Sequence, residues 1–279
     1  MATIYLNADT GDNTTGDGTS GNPYETIAKG IAETTSGDTI YMQNSTANFA
    51  FGAADLALPV GVDLEGESQA GVTVERTTLS RELEIPDGSI VKNFEVTWAS
   101  QVAGNIFQAA ENATAEVQNI LWDNVPVAGI SNTKFANSTL TFTACKFIDC
   151  GPDGTFLDMI KTSVAGTLSN WNNCLFYWSS NDFPSFNTNT IINTSQVTGI
   201  QTFTNCIFYS QRTASIELGD ASQDASWVFN NCLMFADNGF TNVPTGNNNL
   251  ELDPLMVDAA NGDYNLRPTS PCIDAGTLV

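Results

Sequence analysis

Six short segments of this chain carry one apolar pattern in one phase, and their spacing restricts the fold more than any other feature. Val91, Phe94 and Val96 are followed by Val117, Ile120 and Trp122, then by Phe142, Cys145 and Phe147. Trp171, Cys174 and Phe176 come next, then Phe203, Cys206 and Phe208, then Phe229, Cys232 and Met234. The middle positions are 26, 25, 29, 32 and 26 residues apart. Self-similarity at such a period marks a solenoid, in which each turn buries its inner face only against its neighbours. The segments are β-branched, aromatic and alternating, with Gly, Asn, Ser and Thr around them, so they read as strands. One strand stacked on its equivalent in the next turn gives parallel sheets.

The residue before the aligned position is Asn93, Asn119, Asn173, Asn205 or Asn231, with Ala144 as the exception. Asn tolerates the left-handed backbone that a sharp corner between two strands requires, and stacked Asn side chains can hydrogen-bond along the axis. Cys145, Cys174, Cys206 and Cys232 share a phase with Phe94 and Ile120. A position that exchanges Cys with Phe and Ile is a packing position. The sequence therefore predicts reduced, buried thiols, as suits a reducing compartment.

Composition narrows the function. Asp and Glu number 31 against 9 Lys and Arg, a net charge of −22, although only 14% of residues are charged. Such a surface repels nucleic acid and anionic lipid, and its simplest role is solubility. No His is present, which removes Ser-His-Asp and Cys-His chemistry. No apolar run is long enough to span a membrane. The first residues lack the basic and apolar regions of a signal peptide, so none is expected.

Residues 5–42, with their Gly/Asp loop, and residues 253–276 resemble the two ends of the right-handed parallel β-helix superfamily, which includes pectate-lyase-like and phage tailspike-like proteins. The resemblance implies an all-β, single-domain solenoid. Residues 1–38 would form an N-terminal strand, loop and capping helix, the helix covering Tyr24 to Thr34 with Ile27 and Ile31 inward. Residues 39–252 would form the coils, roughly eight turns of about 27 residues. Residues 253–279 would form a C-terminal cap or tail. A cap is physically required where the first turn exposes strand edges.

The superfamily's lyases use an Arg or Lys base with carboxylate-bound Ca²⁺, and its hydrolases use clustered Asp. The nine basic residues here are scattered and match no lyase motif. Asp149, Asp153 and Asp158 could supply a carboxylate pair within one turn, although Asp in a Gly-rich stretch is also ordinary turn chemistry. Asp9, Asp12 and Asp17 have the spacing of hard oxygen ligands for Ca²⁺, without the closing Glu of an EF-hand loop, and Asp-Gly turns account for the same residues. No other cofactor is implied.

Strand alternation points Glu95 and Thr97, Leu121 and Asp123, and Lys146 and Ile148 outward in the first three segments. In the last three the outward residues are Leu175 and Tyr177, Ile207 and Tyr209, and Leu233 and Phe235. Three consecutive apolar rungs need a cover. The C-terminal segment from Asp253, a partner protein (a symmetry mate in a homotrimer or another virion protein), or a sugar ring could supply it, and the leading expectation is the protein contact. Two function classes follow. The first is a non-catalytic structural or attachment protein, with a bacteriophage capsid-decoration or tail-associated component as the leading case, made in the host cytoplasm and located in the virion. The second is a polysaccharide lyase or hydrolase of the same fold, secreted and able to engage a surface glycan.

Overall fold

The structure, a computed structural model, describes residues 1–51, 54–78, 82–98, 107–123, 137–150, 168–179, 200–211, 216–217, 227–241 and 246–278. They form a parallel β-solenoid. A first sheet of ten strands runs from Thr3–Leu6 to Gly246–Asn247, and a second of eight runs from Phe49–Phe51 to Leu233–Ala236. Leu56–Ala57, Leu83–Ile85 and Phe107–Ala109 make a third, short sheet. With ten, eight and three described strands, no single number of complete turns applies, and the estimate of eight is looser than the fold class. Among the described residues no helix is long and apolar enough to cross a membrane.

The repeat sets the register. Val91, Val117, Phe142, Trp171, Phe203 and Phe229 are direct partners along the first sheet. Val96, Trp122, Phe147, Phe176, Phe208 and Met234 are partners along the second. Inside, the rings stack rung on rung: Phe142 on Trp171 at 4.0 Å, Phe176 on Phe208 at 4.6 Å and Phe203 on Phe229 at 4.7 Å. Parallel offset rings at this spacing add about 0.5–1.5 kcal/mol per pair beyond burial.

Between the two strands of each turn sits the corner. Asn93, Asn119, Asn173, Asn205 and Asn231 all have positive φ, between 48° and 64°. Ala144 holds the same conformation at φ 55° without the side chain that favours it, a strain on the order of 1 kcal/mol. The corner amides pair along the axis, Asn119 Nδ2 donating to Asn93 Oδ1 (2.9 Å) and Asn205 Nδ2 to Asn173 Oδ1 (3.1 Å). Cys145, Cys174, Cys206 and Cys232 are buried beneath the corners and none is in a disulfide. Each Sγ lies within bonding distance of a carbonyl of the preceding turn, as Cys206 does to Trp171 O at 3.2 Å. Burial pushes the Cys145 and Cys206 thiols up.

The N-terminal helix is shorter than the sequence predicts, Ile27–Glu33, with Thr26 as its cap accepting from Lys29 N. Tyr24 is instead extended and pairs with the first strand, its N–H donating to Tyr5 O and its carbonyl accepting from Asn7 N. Ile27 is buried and Ile31 packs against the core edge. Gly30 lets the helix approach closely, since a Cβ there would meet Leu6 and Ile40 at 3.1–3.2 Å.

Candidate functional site

The outer face of the second sheet is divided in two. Its C-terminal half carries the apolar stripe in register: Leu175, Ile207 and Leu233 in one column, Tyr177, Tyr209 and Phe235 in the next. This stripe is not an open surface. Leu175 (9% exposed), Tyr177 (1%) and Tyr209 (7%) form a satellite core with Ile148, Met256 and Ala259, and Ile207, Phe235, Tyr264 and Leu266 pack around it. The cover is the antiparallel pair Met256–Asp258 and Asp263–Leu266. The Tyr264 ring packs against Tyr177, tilted by 56° with centroids 5.3 Å apart. Gln211 bridges the two stripe tyrosines, accepting from Tyr177 Oη at 2.6 Å and donating to Tyr209 Oη at 2.8 Å. The expectation that these six residues contact another protein is therefore corrected. A cover from the same chain needs no association entropy, and residues 256–266 supply apolar side chains enough to close the patch.

The N-terminal half of the face carries acid. Glu95 and Asp123 point outward on adjacent strands, and Asp149 follows at the end of the next. Burial raises the Glu95 carboxyl, and the charge of Asp123 adds to the shift. Burial likewise raises Asp123, helped by the charge of Asp149. Asp149 has positive φ (47°), and its Oδ1 accepts from Ser179 N at 2.6 Å. Tyr264 closes the site from the cover. Its hydroxyl is pushed up to about 12 by burial and by Asp123 and Asp149, so it remains a neutral donor at neutral pH. Like charges crowded in a partly desolvated site are arranged as functional carboxylates are.

Of the three carboxylates predicted for one turn, Asp149 is in this site, and Asp153 and Asp158 lie outside the described residues. Glu95, Asp123 and Tyr264 were not predicted as site residues. The outward phase of Glu95 and Asp123 was visible in the repeat; Tyr264, from the far end of the chain, was not.

The N-terminal Asp residues do not assemble into a cation site. Asp9 accepts from Thr46 N, Ala47 N and Thr46 Oγ1, Asp12 from Thr14 N and Thr15 N, and Asp17 from Thr19 N and Oγ1. These bonds hold all three below the usual carboxylate range. Each binds its own turn or the neighbouring loop, and among the described residues no cluster of three or more acidic or thiol groups is placed to hold a metal. The Ca²⁺ expectation for Asp9, Asp12 and Asp17 draws no support from this arrangement.

No family model and no curated protein matches this sequence. Solved structures do. The pectin methylesterase PemA from Erwinia chrysanthemi superimposes with a TM-score of 0.54 over 96% of this chain and 98% of its own, at 13% identity. The pectin methylesterase from Aspergillus niger gives 0.48 over 94% and 88%, at 13% identity. The ORF18 protein of Geobacillus virus E2 gives 0.30 over 89% and 60%, at 12% identity. The chain is thus a right-handed parallel β-helix protein with the pectate-lyase-like fold. At this identity the likeness shows the fold alone.

Proposed function

We propose that this chain acts on a polysaccharide, as a β-helix hydrolase whose acid–base groups are Asp123 and Asp149. The observation that carries the reading is the pair of crowded carboxylates, Asp123 raised beside Asp149, on the N-terminal half of the second sheet. The raised Asp123 supplies a proton to the leaving oxygen, and Asp149 activates the attacking water. Two carboxylates set apart by their surroundings divide acid and base roles in this way. Burial and the charge of Asp149 favour the protonated form of Asp123, and Tyr264 donates to a substrate oxygen. Depolymerisation of uronate and capsule oligosaccharides, with and without Ca²⁺, tests the reading. Asp123→Asn is expected to lower the rate by on the order of 10²–10⁴. Turnover that survives both Asp123→Asn and Asp149→Asn places the chemistry elsewhere.

A second reading, a non-catalytic virion component, is favoured by the stack of unpaired thiols, which suits assembly in a reducing cytoplasm. It predicts no turnover of any polysaccharide and stable association with capsid or tail proteins.

A further inference from the structure

We infer that the glycan taken by this site is neutral, an uncharged hexose or N-acetylhexosamine polymer rather than a polyuronate or a free amino-sugar polymer. The inference rests on the reading of Asp123 and Asp149 as acid and base, and it follows from the charges along the second sheet. Four carboxylates stand on four successive strands. Glu75 is outward on Thr73–Arg76, Glu95 on Glu95–Trp98 and Asp123 on Leu121–Asp123, and Asp149 follows Lys146–Ile148. The pairing is continuous, Glu75 with Thr97, Glu95 with Leu121 and Asp123 with Ile148. At ~4.8 Å per rung the row is about 14 Å long. Lys146 is the one outward cation on these strands, and Arg76 turns into the core at 2% exposed. Residues 73–167, which hold these strands and the segments joining them, carry 11 carboxylates against 6 cations, a net charge of −5.

Each sign of substrate charge meets an obstacle here. A polyuronate carries a carboxylate on every sugar. Each would add like charge to a row in which Glu95 already feels Asp123 and Asp123 already feels Asp149, within the field of a chain at −22. An amine-bearing polymer is attracted by the same row and fails at the chemistry. A positive charge close to a carboxylate lowers its proton affinity by roughly tenfold to a thousandfold, so an amine beside Asp123 strips the proton that the acid must hold. A neutral sugar avoids both. Its hydroxyls donate to the carboxylates, and its oxygens accept from the Tyr264 hydroxyl, which burial and the charges of Asp123 and Asp149 keep protonated. The charge of the substrate is thus set by the requirement that Asp123 stay protonated while the chain approaches an acidic face.

The test uses the full chain, with EDTA present, on polymers in matched pairs. Polygalacturonate and alginate are each set beside their carboxyl-reduced forms, and chitosan beside its N-acetylated form, so that charge changes while the linkage does not. In the pair that is cleaved, kcat/KM is expected to be at least tenfold higher for the neutral member. Raising NaCl from about 0.05 M to about 0.5 M should narrow the gap severalfold for a uronate pair, because salt screens the repulsion. Glu75→Gln should narrow it too and leave the rate on the neutral member unchanged. Cleavage of a charged member as fast as its neutral partner overturns the inference. If that cleavage is lost in Asp123→Asn, the acid–base reading stands and only the substrate class falls. If no member of any pair is cleaved, the two fall together.

Discussion

The two terminal segments of the chain both pack against the solenoid, but by opposite chemistry. At the N-terminus the cap is polar. Asp9 ties the first loop to Thr46 and Ala47, Asp38 accepts from Ala2 and Thr35, and the seven-residue helix covers Leu6 and Ile40. At the C-terminus the segment leaves the stack and lies against its side, where Met256, Tyr264 and Leu266 meet Tyr177 and Tyr209. The difference follows from what each must satisfy. The first turn presents unpaired backbone, which hydrogen bonds answer; the last three rungs present apolar side chains, which only burial answers. Order in the first loop should therefore depend on pH, and order at the cover on apolar contact.

The largest expected effect breaks the cover. Tyr177→Asp puts a charge where the native ring is 1% exposed and is expected to cost about 3–5 kcal/mol in urea unfolding. Met256→Ala removes the same contact from the other side and should cost ~2–3 kcal/mol. A cost below about 0.5 kcal/mol for both would mean that the cover is not docked.

A smaller effect concerns the interior shared by both ends. Cys206→Ser places a hydroxyl in the thiol stack and should cost roughly 1–2 kcal/mol. Thiol titration should find Cys145, Cys150, Cys174, Cys206 and Cys232 unreactive in the folded protein, with all six cysteines reacting after unfolding without reductant. Fewer than six would indicate a disulfide.

The smallest effects separate the ends by pH. Asp9, Asp12 and Asp38 are held below their ordinary value of 3.8, so their contribution is present above that value and is lost as pH falls through the lowered one. Glu95 and Asp123 are raised above 4.5 and 3.8, so theirs is present at low pH and is lost as pH rises through the raised values. Amide exchange across pH 3 to 7 should show the loop of residues 9–17 loosening at the acid end, and the strands bearing Glu95 and Asp123 most protected at the acid end and loosening as pH rises through the raised values. Parallel behaviour of the two regions would contradict the assignment.

Much of this architecture could be read from the repeat. Phase alone located the corner residues, the buried thiols and the side on which Tyr177 and Tyr209 emerge. Phase could not say what covers them, because the partner lies dozens of residues away in a segment with no repeat of its own. The helix is shorter because Tyr24 pairs with the first strand, its N–H donating to Tyr5 O, and Thr26 caps the helix after it. The raised carboxyls at Glu95 and Asp123 escaped for a related reason: the alternation marked them as outward, and outward positions are ordinarily well solvated.

The claim that the chain covers its own apolar stripe is tested most directly by hydroxyl-radical footprinting of the intact protein. Tyr177, Tyr209 and Met256, none more than 7% exposed, are expected to oxidise as slowly as core Phe208, while the fully exposed Met1 reacts at the solvent rate. Oxidation of Tyr177 and Tyr209 at a rate near that of Met1, with Phe208 still protected, would show an open stripe on a folded solenoid and contradict the account.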